Sequence, residues 1–322
     1  MNFWSLNYRF NAIYCLILDK KYYFCAMLSF IKKLIRWDFY QNLVPLDRRE
    51  ITLSEPDFNF AIKLTSKYNW LHNKQSELAD TIQELLQTEE RKCLLSRLMK
   101  IFRYVPLDEN QKNINCIINQ IANIWGCSDQ NTIIMATNYK DAEEPDGSSV
   151  FIYDIMRELS NWNTDSFVKF FRPDKQEIVD CTKDIVLCDD FIGTGHTIKK
   201  RVTAIRDFNP NVRIRVVTLA GMKKSQKRYL DKLGIEYYSP IWLTAGITTL
   251  KESDRDYCVM KEMENLLYNT YKDYSLQKCS MGWGGAAALY MNAQYRIPNS
   301  CFPIFWWGKL ASGKPFNSLF KR

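Results

Sequence analysis

Histidine is nearly absent from this chain of 322 residues: only His72 and His196 occur, far apart in sequence. A metal site built from several histidines is thereby excluded, and a Ser-His-Asp triad has little to draw on. The ten cysteines contain no CxxC spacing, so they offer neither zinc-ligand nor redox pairs. Several lie in apolar runs, Cys116 and Cys188 among them, as reduced core residues of a cytoplasmic protein do. No run of like charges is long enough to form an interaction tail, and no stretch is polar enough to stay unfolded. The formal charge of +8, from 44 Lys and Arg against 36 Asp and Glu, is a mild excess. It is compatible with polyanionic ligands or nucleic acid and diagnostic of neither. No internal repeat or low-complexity segment is found.

Long apolar runs are missing as well. Residues 11–18 and 22–31 are apolar, but Asp19-Lys20-Lys21 divides them, and neither reaches the ~20 residues that a membrane span requires. No basic segment leads into a clean apolar stretch with a small-residue cleavage site, so neither a transmembrane span nor a signal peptide is expected. Phe30–Trp37 (FIKKLIRW) is basic and amphipathic. It suits packing on the domain or a partner better than lying on a membrane surface.

What is present is a chain 46% hydrophobic and 14% aromatic, enough for a sizeable core in one large domain or two. Its most informative stretch is Ile185-Val186-Leu187-Cys188-Asp189-Asp190-Phe191-Ile192-Gly193-Thr194-Gly195-His196-Thr197. The apolar run Ile185–Cys188 suits a strand covered on both faces in a parallel sheet. Asp189 and Asp190 then fall at the carboxyl edge, where open α/β folds bind ligands. Gly193 and Gly195 permit a tight turn and close backbone approach. Thr194 and Thr197 add hydroxyl donors, and the free N–H groups opening the next helix favour an anion. Two adjacent carboxylates suit sugar hydroxyls or a hydrated Mg²⁺ rather than a phosphate.

This stretch resembles the signature of type I phosphoribosyltransferases, which bind phosphoribosyl pyrophosphate (PRPP): apolar strand, acidic pair, four-residue spacer, then Thr-Gly-x-Thr. The resemblance implies that Asp189 and Asp190 hold the ribose hydroxyls and that Gly193, Thr194, Gly195, His196 and Thr197 cradle the 5′-phosphate. His196 is open to two roles, donor to the phosphate or exposed residue of the first turn. One departure matters. In 6-oxopurine transferases an aspartate, the base near the purine, stands where this chain has Gly193, which argues against hypoxanthine or guanine salvage.

The surrounding pattern is α/β. Runs at Thr132–Thr137, Phe167–Phe171, Ile185–Cys188, Ile214–Ala220 and Ile235–Trp242 suit strands. They alternate with helical stretches at Val150–Leu159, Ile198–Asp207 and Gly221–Leu233. That order implies right-handed βαβ crossovers and a parallel sheet. The expected organisation is an N-terminal helical region (1–127), a phosphoribosyltransferase-like α/β core (128–245) and a C-terminal aromatic hood or extension (246–322). In the first, Ser54-Glu55-Pro56 signals a helix start, and Asn73–Gln87, Leu94–Phe102 and Asn110–Trp125 suit helices. By resemblance, the loop 138–149 binds pyrophosphate and a mobile lid spans 172–183. Lys140, Arg172 and Lys175 are therefore candidates for neutralising pyrophosphate, or else ordinary surface cations.

In the C-terminal region, Gly284 and Gly285 precede an apolar stretch that suits a helix. Aromatic residues follow, and Trp283 is the candidate for stacking on a base. The close Pro298-Asn299-x₃-Pro303-x₂-Trp306-Trp307 resembles phosphoribosyltransferase-like effectors of bacterial conflict and anti-phage systems. Some of these accompany retron reverse transcriptases, which implies a reverse transcriptase or nucleic-acid partner.

Three functions compete. The first is an enzyme that binds PRPP with Mg²⁺ and transfers or cleaves at ribose C1. The second is an inactive module that senses PRPP or a nucleotide and acts through a partner. The third is a nucleic-acid binder, for which no motif is present. The apolar flanks also suit an oligomer.

Overall fold

The computed structural model describes residues 53–138, 147–172, 183–249 and 253–322. The expectations for residues 1–40, Lys140 and Lys175 fall outside these. At the chain's first described helix, α1 (Glu55–Lys67), the Ser54 hydroxyl accepts from the Asp57 N–H and Pro56 sits in the first turn, as a start signal demands. A 3₁₀ turn leads to α2 (Gln75–Leu85), and α3 (Glu89–Ile101) begins where the Thr88 hydroxyl accepts from the Arg91 N–H. A short strand, β1 (Arg103–Val105), precedes α4 (Leu107–Asn119), which begins after Pro106, earlier than Asn110, and ends in a π-helical turn.

The centre is a six-stranded, wholly parallel sheet. In chain order it contains β2 (Thr132–Ala136), β3 (Phe167–Val168), β4 (Asp184–Ile192), β5 (Ile214–Met222), β6 (Glu236–Tyr238) and β7 (Ile241–Leu243). In space the order is β3-β2-β4-β5-β6, and β7 continues beside β5 where β6 leaves off. The crossovers are α5 (Gly147–Glu158), α6 (His196–Phe208) and a helical segment, 223–233, with a π turn in it. This segment starts later than Gly221 because Gly221 and Met222 still pair with Trp242 and Leu243.

Alternation along the strands assigns the two faces. Ile134, Val186, Cys188, Val217 and Leu219 pack with Ile114 and Ile117 of α4 and Phe151 and Ile155 of α5. Ile133, Ile185, Leu187 and Val216 pack with Ile198, Val202 and Ile205 of α6. Successive residues of a strand point to opposite faces, so nearly continuous apolar runs are what a sheet covered on both sides requires. At the amino end of the sheet, the fully buried Arg215 spans three strands. It bonds Asp184 of β4 at 2.6 Å and Glu236 of β6 at 3.1 Å, and it lies over Trp125. A buried guanidinium demands such partners.

The third core joins the two ends of the described chain. Leu78, Ile82, Leu94 and Leu98 of the N-terminal helices pack with Phe302, Phe305, Trp306, Trp307 and Phe320, and with Met260 and Met263 of α7 (Ser253–Glu264). Phe191, Ala220 and Ile241, at the carboxyl edge of the sheet, belong to the same cluster. The extension adds a hairpin, β8 (Thr270–Tyr271) with β9 (Tyr274–Ser275), and a strand, β10 (Tyr290–Asn292), that pairs in parallel with β1. The helix expected after Gly284-Gly285 does not form. Trp283–Gly285 is a single 3₁₀ turn, Gly284, Gly285 and Ala287 have positive φ, and the chain then extends into β10. Left-handed residues interrupt helical hydrogen bonding.

The aromatic close is core rather than a ligand-stacking surface. Phe302, Phe305, Trp306 and Trp307 are all buried, and the two indole N–H groups donate to the carbonyls of Cys301 and Tyr268. Large rings with satisfied N–H groups stabilise an interior best when wholly enclosed. No helix among the described residues is long and apolar enough to cross a membrane. The shared core predicts that Trp306→Ala costs about 3–5 kcal/mol, measured by urea unfolding. Hydrogen exchange should then quicken in α2 and in residues 302–320 together; faster exchange in the extension alone would contradict a common core.

Candidate active site

Strand β4 runs further than its apolar part. Ile185–Cys188 is buried, and Asp189 and Asp190 follow half-buried within the same strand, with Asp189 opposite Thr218 of β5. By alternation Asp189 continues the face covered by α6. There Arg201, itself buried, donates from Nε to the Thr137 carbonyl at 2.7 Å and lies 4.7 Å from the centre of the Phe171 ring. Burial pushes the Asp189 carboxyl well above the usual carboxylate range, and the charge of Asp190 beside it adds to this. The Thr137 hydroxyl and the Arg201 guanidinium oppose it. Burial and the same carboxylate raise the Cys188 thiol. Burial also pushes Cys301 up to about 12, and both shifts disfavour the reactive thiolate.

The loop after the strand closes tightly. Gly195 has φ +80° and immediately precedes α6, a conformation that glycine adopts without penalty. A side chain there would also press on Tyr229 and Ser225. At Gly193, whose backbone is unstrained, a Cβ would land on the Ser300 side chain, and one at Gly284 would meet the Thr194 methyl. The C-terminal extension therefore rests directly on the loop. Glu264 holds this part of the extension: it accepts from the Met281 N–H at 2.8 Å and from the Ser280 hydroxyl. Met281 and Ala287 are non-glycine residues with positive φ, strain that persists only where the surroundings enforce it. The first N–H groups of the 13-residue α6 open beside the loop, a favourable place for an anion.

Above the carboxylates lies a cleft of about 350 Å³. Thr137 and Asn138 border it from the end of β2, Asp189, Asp190 and Phe191 from β4, and Thr197 from α6. The rest of its wall comes from the extension: Lys272, Asp273, Tyr274, Arg296, Pro298–Ser300 and Arg322.

Of the residues singled out in the sequence, Asp189, Asp190 and Thr197 meet in this cleft. Gly193 and Thr194 lie in the loop, facing 284–286 and the side chains of Lys224 and Arg228. Gly195 is buried at the helix start, and His196 is exposed in the first turn. Arg172 is exposed and does not line the cleft, and neither does Trp283, which is 38% exposed. Sequence reasoning missed Arg201, Ser300 and the three cations Lys272, Arg296 and Arg322. Only Arg296 carried a signal, standing directly before Ile297-Pro298-Asn299.

Two predictions follow from this geometry. Because the folded pKa of Asp189 is raised, its contribution to stability is complete below the unfolded carboxylate pKa of ~3.9 and is lost as pH rises through the folded value. Asp189→Asn should therefore melt higher than the wild type at alkaline pH, and the gap should close on acidification; a gap independent of pH in thermal melts would contradict this. Gly193→Ala should lower stability by about 1–3 kcal/mol, and adding Ser300→Gly should restore most of it in the same unfolding assay.

A family model described as PRTase-CE matches residues 68–322. Solved structures similar to the chain include the Helicobacter pylori xanthine-guanine-hypoxanthine phosphoribosyltransferase, at 10% identity over 44% of this chain and 84% of that one, with a TM-score of 0.29. Orotate phosphoribosyltransferase from Aeropyrum pernix matches at 12% identity over 42% and 71%, with a TM-score of 0.29. The Mycobacterium tuberculosis H37Rv orotate phosphoribosyltransferase, solved in complex with inorganic phosphate, matches at 12% over 49% and 91%, with a TM-score of 0.27. No curated protein matches the chain. The family match takes in most of the N-terminal helices, the parallel sheet with its acidic edge and the extension that covers it, and the chain belongs to the PRTase-CE family.

Proposed function

We propose that the cleft binds phosphoribosyl pyrophosphate or a closely related nucleotide, and that the chain transfers or cleaves at ribose C1. The observation that carries this reading is the juxtaposition at the end of β4: two half-buried carboxylates, a glycine turn, and the first turn of α6, whose Thr197 lines the same cleft as the carboxylates. Carboxylates side by side repel each other, and hydroxyl donors or a cation relieve that repulsion. A ribose presents two adjacent hydroxyls to Asp189 and Asp190, while its 5′-phosphate meets the N–H groups of Gly193–Thr197.

Magnesium fits this donor set. The two carboxylates, with Asn138 and Thr137 beside them, offer oxygen ligands, and a hydrated Mg²⁺ needs only one or two protein carboxylates when a phosphate completes its shell. Among the described residues no group of three His, Cys, Asp or Glu could cage an ion by itself. When bound, Mg²⁺ supplies charge neutralisation on the departing diphosphate.

In the reaction the C1–oxygen bond breaks and its electron pair leaves with the pyrophosphate. The lone pair of a nitrogen nucleophile, or of water in a cleavage, forms the new bond at C1 and the nucleophile then gives up a proton. Asp189 and Asp190 orient the sugar through that change, and the loop fixes its phosphate. Ser300 occupies the space that a side chain at Gly193 would need. This supports an acceptor other than a 6-oxopurine, and it also favours the second reading, a module that binds PRPP without turnover and signals through a partner. A cytoplasmic defence effector working beside a retron reverse transcriptase suits the resemblance of the C-terminal close.

Isothermal titration of PRPP with Mg²⁺ into the full chain tests binding. We expect saturable binding, weakened at least ~100-fold in the Asp189→Asn/Asp190→Asn variant, since each hydrogen bond to a charged group contributes about 1.5–3 kcal/mol. Equal binding by both proteins would sink the assignment of the carboxylates. Phosphorus NMR of the mixture with nucleobases and nucleotides separates the two readings: released pyrophosphate marks turnover, and intact PRPP marks a sensor.

A further inference from the structure

We infer that the C-terminal extension supplies a cationic half-site, formed by Arg322, Arg296 and Lys272, that receives a phosphate-type group of the ligand held over Asp189 and Asp190. The inference rests on the cleft being the ligand site proposed above. It adds an anion-binding role on the segment that forms the roof to those the resemblance implies for the loop 138–149 and the lid 172–183.

Arg322 carries most of the argument. Its Nε donates to the Tyr274 hydroxyl at 3.0 Å and an Nη1 hydrogen is taken by the Ile297 carbonyl. The guanidinium lies over two rings, 5.1 Å from the centre of Tyr274 and 5.9 Å from that of the buried Trp306. Every one of these partners is neutral, so the side chain is held in one pose while its full charge remains. Nη2 takes no part in either hydrogen bond. An arginine costs up to ~2 kcal/mol in rotamer entropy to fix, and a fixed planar fork is what phosphate and carboxylate recognition exploits.

Lys272 stands next to it. It occupies the turn of the β8–β9 hairpin with φ +51°, and its Nζ donates to the main-chain oxygen of Arg322. Arg296 borders the cleft from the segment that leads into Pro298–Ser300. Three cations, with the single carboxylate of Asp273 among them, thus face Asp189 and Asp190 across about 350 Å³, and the extension side keeps a net positive charge. One side suits hydroxyl groups and the other suits negative charge.

Among the described residues the wall offers little free aromatic face to a neutral base: Phe191, which borders the cleft, is buried and stacked on Tyr290. Phe302, Phe305, Trp306 and Trp307 are buried in the core. The Tyr274 ring, which does reach the cleft, is already covered by Arg322 and met edge-on by Trp306 at 5.4 Å. The roof is built to recognise charge rather than to stack.

Two sources of that charge share one chemistry: the diphosphate of PRPP, and the phosphate of a nucleotide acceptor. Titrations of ribose 5-phosphate, pyrophosphate, PRPP and a nucleoside monophosphate, each with Mg²⁺, into the wild type and Lys272→Gln/Arg296→Gln/Arg322→Gln distinguish them. Thermal melts confirm that the variant is folded, and Arg322→Lys alone reports whether the fork matters beyond its charge. We expect PRPP and pyrophosphate to bind the triple variant about 10–100-fold more weakly, while ribose 5-phosphate changes less than about twofold. Loss of nucleoside monophosphate affinity alone would assign the half-site to the acceptor. Equal affinities of both proteins for all four ligands would overturn the inference. If the wild type binds neither ribose 5-phosphate nor PRPP but binds pyrophosphate or the monophosphate through these cations, the half-site stands and the sugar-phosphate reading fails.

Discussion

Two carboxylates side by side at the end of a buried strand repel each other, and the structure around them is arranged to contain that repulsion. At an effective dielectric constant near 20 a pair of unit charges 4 Å apart interacts by about 4 kcal/mol, a large fraction of a domain's net stability. The Arg201 guanidinium on α6 and Thr137, just past β2, both act to lower the Asp189 pKa. Burial first, and the charge of Asp190 second, favour a proton on Asp189, whose pKa is raised. A ligand that brings hydroxyl donors or a cation can replace that proton.

The opposite end of the sheet is organised for permanence. Arg215 joins β4, β5 and β6 through Asp184 and Glu236, with its charge fully answered inside the fold. Binding surfaces of parallel sheets lie at the carboxyl ends because the chain leaves each strand there in loops, and the helices that follow present free N–H groups to the same space. Charge is settled by internal ion pairs at one edge, and at the other a carboxylate pair borders a cleft.

The roof over the cleft is not a separate module laid on a finished core. Residues from the N-terminal helices, from α7 and from the last twenty residues form one apolar cluster, and Phe191, next to Asp190, belongs to it. The rigidity of the aromatic close is thereby passed to Pro298–Ser300 and to Arg322. The same packing places Ser300 against Gly193, so that the loop after β4 is shaped by a residue 107 positions away in the chain.

Much of this was legible beforehand. Ile185–Cys188 declares a strand covered on both faces, and Asp189-Asp190 followed by Gly193–Thr197 declares an edge, a turn and a helix start. Periodicity and backbone preference act over a few residues, and within that range the sequence determined the elements, their order and the position of the acidic pair. Its limits show at Trp306-Trp307 and Gly284-Gly285. An aromatic run has the same composition in a core as in a stacking wall, and a glycine pair can open a helix or prevent one. Nor does any local pattern show that Lys272, Arg296 and Arg322 converge on Asp189 and Asp190. Those outcomes are set by which distant surfaces exclude water together, a property of pairs of segments, and only the tertiary structure decided them.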